Sequence, residues 1–297
     1  MNYIVRAAFN RPEMFFVSLK SEEEARNRYC NSEYKTLFCI EYGAPKIIDE
    51  IIERFYPFEY EVVRRPFRHF GWGNILEGFN EVSQFAENHI LNLEDDCIVH
   101  PTYFEYIDKA ISLVDDKCSV INASNRSNPN RNKTAVNSVK KTRLFEATCC
   151  LIFKDFYNKY VKPYATYEYY KNREKIIKEV NDRNGNNPLS KFRPERNNLS
   201  THIGWDGLVN RLVDTAAIEE DMYCISPEVD RRLHIGFYGQ NRPGKFPSKE
   251  EDFSKRVEML VDIIKDTEMM GKLDGRYNDY ELFPDELNTW DGNLTIV

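Results

Sequence analysis

The sequence is poor in several things that would otherwise direct its reading. No run in its 297 residues approaches the roughly 18 apolar residues that a membrane-crossing helix needs. The first residues, MNYIVRAAFNRP, have no charged start, long apolar core or small-residue cleavage site, so they do not read as a secretion signal. There are seven cysteines, an odd and scattered set, and none forms a CxxC pair. That spacing excludes a zinc ribbon or finger, and free thiols in a reducing compartment are the simplest account. Basic charge is also in deficit: 41 Lys+Arg stand against 48 Asp+Glu, a formal net charge of −7. Phosphate backbones call for a basic face, so nucleic acid is not the expected partner. A cytoplasmic protein without a transmembrane segment is the expectation.

What is present is enough for a large core. Hydrophobic residues make up 41% of the chain and aromatics 13%, over a length that suits one large domain or two small ones. Short apolar runs alternate with segments of helical spacing. Tyr3–Phe9 reads as a strand broken by Asn10-Arg11-Pro12, followed by a helix carrying Phe15, Phe16 and Leu19 and a charged, solvated continuation over Ser21–Asn31. Thr36–Ile40 is a second strand, ending in Glu41. Ile47, Ile48, Ile51, Ile52 and Phe55 then repeat at helical spacing. Tyr60–Val63 and a helix over Asn74–Asn88 follow. Cys118–Ala123 and Met222–Ile225 are further strands, and Phe253–Ile264 is an amphipathic helix. Ser124–Lys141 and Asn184–Ser200 read as loops, the first of them mobile. Alternating strands and helices imply an α/β fold with a mainly parallel sheet.

Two stretches carry candidate chemistry. The first is His89–Val114, where the apolar run Ile90–Leu93 ends in Glu94, Asp95 and Asp96, and a helix with Phe104, Ile107, Ile111 and Val114 follows Pro101. In an open α/β sheet the ligand crevice lies outside the carboxyl ends of the strands. Three adjacent carboxylates there repel one another unless a divalent cation or ligand hydroxyls offset the charge. Mg²⁺ and Mn²⁺ favour such oxygen ligands. Spacing alone leaves a solvated acidic turn open as the alternative. The second stretch is His202–Val213, with Trp205, Leu208, Val209 and Leu212 as an apolar stripe and Asp206 at the helix start, where the dipole favours a carboxylate. A helix-start acid is its plain alternative. Downstream, Arg231, Arg232 and His234 stand where they can contact a diphosphate, or form a solvated basic turn.

Taken in order, these motifs resemble the inverting N-acetylglucosaminyltransferase I family and its relatives. The matching residues are Leu93-Glu94-Asp95-Asp96 with Pro101, Phe104, Glu105 and Tyr106. They continue with Trp205-Asp206, then Pro227, Glu228, Arg231, Gly236 and Gly239. The resemblance runs from about Tyr3 to Gly239. It implies a GT-A fold: a Rossmann-like nucleotide-sugar-binding sheet (1–115) with a fused acceptor-binding half (116–240), and here a C-terminal helical extension (241–297) packed on the same domain. It further implies a nucleotide-sugar donor, UDP- or GDP-linked, and Mn²⁺ (or Mg²⁺) held by Asp96. Asp95 falls on the ribose, Glu94 on the sugar or a neighbouring group, Arg11 on the nucleotide and Glu41 near the base. Asp206 is the implied general base, with Trp205 on the acceptor side.

The implied activity is hexosyl or N-acetylhexosaminyl transfer to a hydroxyl of a glycan, lipid-linked saccharide or protein. The family's acceptor segment is not recognisable in Ser124–Cys149, so the N-glycan acceptor does not carry over. A non-catalytic glycan- or nucleotide-binding protein of the same fold stays open. So does a sugar-nucleotide nucleotidyltransferase, although no Gly-rich, Lys-containing phosphate loop follows the first strand.

Overall fold

The computed structural model describes residues 1–125, 132, 134–184, 205–238, 245–274 and 282–297. The side chains of residues 70–72, 167–171, 173, 205, 206, 271 and 274 lie outside that description. The first half alternates strictly: β1 (Asn2–Ala8), α1 (Pro12–Arg28), β2 (Tyr34–Ile40), α2 (Ile47–Phe55), β3 (Tyr60–Arg64), α3 (Phe70–Ser83) and β4 (His89–Asn92). These strands lie parallel in the order β3-β2-β1-β4. A short β5 (Cys97–Val99) and α4 (Tyr103–Leu113) follow the acidic turn.

The second half extends the same sheet. It contains β6 (Cys118–Ile121), β7 (Ser138–Thr142), β8 (Leu151–Phe153) and α5 (Lys154–Phe156), which runs on as a π-helical turn over Tyr157–Val161. Then come α6 (Tyr167–Arg183), α7 (Trp205–Glu220), β9 (Tyr223–Pro227), β10 (Arg232–His234), α8 (Phe253–Lys265), α9 (Thr267–Asp274) and β11 (Thr295–Ile296). The nine-stranded sheet has the order β11-β7-β9-β6-β8-β4-β1-β2-β3 and is mostly parallel, while β5 and β10 form a separate antiparallel ribbon. The expected α/β class is the one observed.

Strand alternation divides the core. Val5, Ile90, Val120 and Ile152 face one side with Phe79 of α3, Tyr157 and the α7 residues Leu208 and Leu212. Ile4, Leu91, Ile121 and Leu151 face the other with Tyr103, Phe104, Tyr106 and Ile107 of α4. Covered on both faces, the central strands need near-continuous apolar runs, and Ile90–Leu93 is one, broken only by Asn92.

Two expectations are corrected. The charged stretch after Leu19 is not a solvated continuation: α1 reaches Arg28 with Glu22 and Ala25 fully buried. The physical reason is Arg6 of β1, itself buried, whose Nε donates to Glu22 at 2.7 Å. The polar Ser124–Lys141 stretch is not all loop, because its end is β7, paired antiparallel with β9. Backbone pairing holds this strand without an apolar run. Residues 126–131 and 133, and the expected loop at 185–200, lie outside the described residues.

Candidate functional site

The strand order reverses between β1 and β4. The chain proceeds from β1 outward through β2 to β3, then returns through α3 to the other side of β1. Such a switch point opens a crevice at the carboxyl ends of the two strands. Asn10-Arg11 leaves β1 there, and Glu94-Asp95-Asp96 follows β4, after Leu93 N–H donates to the Val5 carbonyl at 3.1 Å.

The two ends are joined by Arg11. Its Nη2 lies 2.5 Å and its Nε 3.3 Å from the two carboxylate oxygens of Asp95, and its Nη1 lies 2.5 Å from Asp96 Oδ2. Pro12 occupies the first position of α1, where a missing N–H costs nothing, so Arg11 sits at a defined helix entry. The turn is held from below by α1. Ser18 Oγ lies 2.6 Å from the Cys97 carbonyl and 3.0 Å from that of Glu94, and it accepts from Arg6 Nη1 at 3.2 Å. Ser21 Oγ accepts the Val99 N–H at 3.1 Å.

The β5–β10 ribbon brings the third component. Register pairs His234 with Cys97 and Arg232 with Val99, so the basic stretch lies beside the outgoing limb of the acidic turn. His234 Nε2 is 3.3 Å from Asp96 Oδ2, while its Nδ1 accepts the Gly236 N–H at 3.4 Å. Ile235 N–H donates to the Asp96 carbonyl at 2.7 Å. A Cβ at Gly236 would stand 2.2 Å from Asp96 Oδ2, so only glycine allows this approach.

Electrostatically the turn is overloaded with negative charge. Burial, reinforced by Asp96, holds the Glu94 carboxyl well above the usual carboxylate range. Burial pushes Asp95 up to about 6, with Arg11 pulling the other way and Asp96 adding to the rise. Burial also works against the charge on Arg11, but Asp95 and Asp96 overcome it and hold the guanidinium above its ordinary value. Ligand atoms of Glu94, Asp96 and Cys97 lie within 4.8 Å of one another, the one such group among the described residues. Burial and the neighbouring Cys149 keep the Cys97 thiol well above its ordinary value, so it stays protonated and is a poor partner for a hard cation. The two carboxylates suit Mn²⁺ or Mg²⁺.

The remaining candidates divide. Glu41 lies buried at the end of β2, where Oε1 accepts the N–H groups of Tyr42 and His69, each at 2.9 Å, and Oε2 has no partner. Arg231 does not join the acidic turn. It is buried between the rings of Tyr106 and Trp290, 5.4 and 4.7 Å from their centroids, and Nη2 donates to the Val136 carbonyl at 2.6 Å. Burial pushes it down to about 10. The cause is strand alternation: Arg232 and His234 share one face of the ribbon, and Arg231 turns to the other side. The α7 backbone begins at Trp205, but the side chains of Trp205 and Asp206 lie outside the described residues, as does Gly239.

No protein-family model matches the chain, and no curated protein matches it. Similar solved structures are glycosyltransferases. A mannosyltransferase, PcManGT from Pyrobaculum calidifontis, solved with GDP-Man and Mn²⁺, is 12% identical over 53% of this chain and 45% of its own, with a TM-score of 0.38. S. aureus TarS 1-349, solved with UDP-GlcNAc, is 10% identical over 53% and 47%, at 0.38. LgtC, solved with donor and acceptor sugar analogs, is 11% identical over 97% and 99%, at 0.40. The chain spans about half the length of the first two. Likenesses this weak carry no argument, and the functional reading rests on the site's own residues.

Sequence reasoning missed Ser18, Ser21 and Asn92. Asn92 ends β4 and donates through Nδ2 to the Ala147 carbonyl at 2.8 Å and to Glu94 Oε1 at 3.4 Å. The available signal was a lone polar residue inside an otherwise apolar stripe.

Proposed function

We propose that this chain is a metal-dependent, inverting glycosyltransferase of GT-A type, moving a hexosyl or N-acetylhexosaminyl unit from a UDP- or GDP-sugar to an acceptor hydroxyl. The observation that supports the reading is the acidic turn at the switch point, where Arg11 lies on Asp95 and Asp96, His234 lies on Asp96, and Glu94 stands beside them, a set rich enough in negative charge to suit a cation. Asp96 and Glu94 would hold Mn²⁺ or Mg²⁺, with the His234 imidazole beside them. When bound, such an ion supplies positive charge to a departing diphosphate.

The chain's own groups do the rest. Arg11 orients Asp95 and Asp96 and offers its guanidinium to the nucleotide, while Asp95 serves the ribose. Glu41, with one carboxylate oxygen unpartnered, serves the base. Asp206 takes the acceptor proton as the hydroxyl attacks the anomeric carbon, and one direct displacement inverts the configuration. Trp205 lines the acceptor side. The acceptor is a glycan, a lipid-linked saccharide or a protein. All seven cysteines are free thiols, which supports a reducing, cytoplasmic setting as part of the same proposal. Among the described residues no helix is long and apolar enough to cross a membrane.

The test is a binding and hydrolysis panel of UDP-, GDP-, dTDP- and CMP-sugars with Mn²⁺ and with EDTA. Selective, Mn²⁺-dependent binding and slow hydrolysis of one donor is the expected result. No binding across the panel sinks the proposal. Asp206→Asn is expected to keep donor binding and lose ~10²–10⁴-fold in turnover; full turnover assigns the base elsewhere.

A further inference from the structure

The nine-stranded sheet ends differently at its two edges. At one edge β11 is two residues long, Thr295–Ile296. A strand that short offers little backbone for another chain to pair with. At the other edge β3 runs for five residues, Tyr60-Glu61-Val62-Val63-Arg64, in unbroken register with β2. Among the described residues no strand pairs with its outer side. The usual protections of an edge are a proline, a bulge, a lysine or a covering element. Pro57 and Pro66 bracket β3, but the strand itself has no proline and no lysine, and its ladder shows no bulge. Tyr60, Val62 and Val63 are strong strand formers, and Val62 is 41% exposed.

The ladder fixes which main-chain groups this edge presents. Thr36 N–H donates to the Glu59 carbonyl at 3.0 Å, and Arg65 N–H donates to the Ile40 carbonyl at 2.9 Å. Glu59, Glu61, Val63 and Arg65 therefore turn their main-chain groups to β2, and Tyr60, Val62 and Arg64 turn theirs outward. The charges are matched within the chain. Lys35 Nζ lies 2.8 Å from Glu61 and 3.0 Å from Glu59, and Arg64 is ion-paired with Asp49 of α2. A second β3 laid antiparallel about Val62 fits this edge. Val62 then faces Val62 of the other copy, and Tyr60 faces Arg64 in both directions, a ring against a guanidinium. On the opposite face Glu61 stands beside Val63, so like charges do not meet. Centring the pair on Glu61 sets two carboxylates opposite each other, and centring it on Val63 sets Tyr60 opposite Pro66, which has no N–H to give.

We propose that this edge is a dimer interface, in which β3 pairs antiparallel with β3 of a second copy of this chain and joins the two sheets into one. The two-fold axis passes between the two Val62 residues. The pairing goes beyond the glycosyl-transfer reading and does not depend on it. The parallel strands of the two copies run in opposite directions, so the two acidic turns open at opposite ends of the joined sheet. β2 separates β3 from β1, and each turn stays complete within its own chain.

The experiment is sedimentation equilibrium of the full chain, from sub-micromolar to high-micromolar concentration, on the wild type, Val62→Pro and Val62→Lys. A reversible dimer is expected for the wild type. Val62 N–H points away from β2, so proline there removes an outward donor and no bond of the ladder. Losing that bond in both copies should weaken dimerisation about tenfold or more. Val62→Lys sets two like charges across the axis, acts in the same direction, and keeps the test decisive if Val62→Pro fails to fold. Mild oxidation with copper phenanthroline reads the register. The Val62→Cys positions face each other about 5.5 Å apart at Cα, within disulfide reach, and should link the copies. The Arg64→Cys positions stand roughly 13 Å apart along the strands and should not. A wild type that stays monomeric throughout overturns the interface. A dimer whose affinity both Val62→Pro and Val62→Lys leave unchanged overturns it too, as does one that links through Arg64→Cys and not through Val62→Cys.

Discussion

Two arginine–carboxylate clusters leave the same strand and contact the same helix, and they do opposite things. Arg6, inside β1, is 1% exposed and pairs with Glu22, which is also met by Tyr56 Oη at 2.7 Å and by Arg26 at 3.2 Å. There one carboxylate has three donors. Arg11, five residues on, is 19% exposed and faces two carboxylates with a third alongside. There the negative charge outnumbers its partners. The contrast separates a charge-balanced ion cluster from the one proposed to take a ligand. The first is neutralised in place. The second keeps a surplus of carboxylates, and burial together with the neighbouring Asp96 raises Glu94 and Asp95; on the proposed function a cation would relieve it.

The largest effect comes from breaking the structural cluster. Glu22→Ala leaves Arg6 buried without its partner and should cost about 3–5 kcal/mol in urea unfolding. A loss below about 1 kcal/mol would mean that Glu22 is not what holds Arg6 in the core.

Protons test the strand that leads into the acidic turn. Burial holds His89 at about 4, below its ordinary 6.5. The unfolded chain therefore binds the proton first, and stability falls as pH drops from 6.5 towards 4, by up to about 3 kcal/mol from this residue. His100, also near 4, acts in the same direction. The difference between wild type and His89→Phe across this window isolates the first. Parallel curves for the two proteins would mean that His89 titrates alike in both states.

The proposed site at the acidic turn predicts a gain with ligand. Mn²⁺ and the matching nucleotide at 100-fold over Kd should stabilise the wild type by ~2.7 kcal/mol in thermal unfolding. Asp96→Ala should show none of this gain, while its metal-free stability stays level or rises because one repelling carboxylate is gone. Retained Mn²⁺-nucleotide stabilisation in that variant removes Asp96 from the metal site. The smallest effect is on the link between the clusters. Ser18→Ala removes the hydroxyl shared by Arg6 and the turn carbonyls and should cost about 1 kcal/mol, with weaker Mn²⁺ binding. Unchanged Mn²⁺ affinity would leave Ser18 as packing alone.

Most of the sheet was legible because its central strands are buried on both faces and read as largely apolar runs, Thr36–Ile40 and Ile90–Leu93 among them. Asp96 was legible for the same reason, since a charge ending such a run marks a strand's carboxyl end. What escaped has a common physical cause. Glu22 looks solvated until Arg6 is known to lie opposite, and β7 looks like loop until β9 pairs with it. Arg231 and Arg232 are adjacent arginines, and only the pleat decides that one packs against Trp290 while the other shares the ribbon face of His234. Pairings between distant segments leave little trace in local spacing.

The β5–β10 ribbon has a kinetic consequence. It joins residues more than 130 positions apart, whereas β1, β2 and β3 pair across about 30. Closing a longer loop adds little to the equilibrium cost, about 0.6 kcal/mol per doubling, but distant pairings form slowly. A growing chain therefore displays Glu94, Asp95 and Asp96 together with Arg11 well before His234 and Gly236 have been synthesised. Until that late strand docks, the nascent protein carries an acidic turn with one wall missing, and the metal affinity proposed for it would mature only as folding ends.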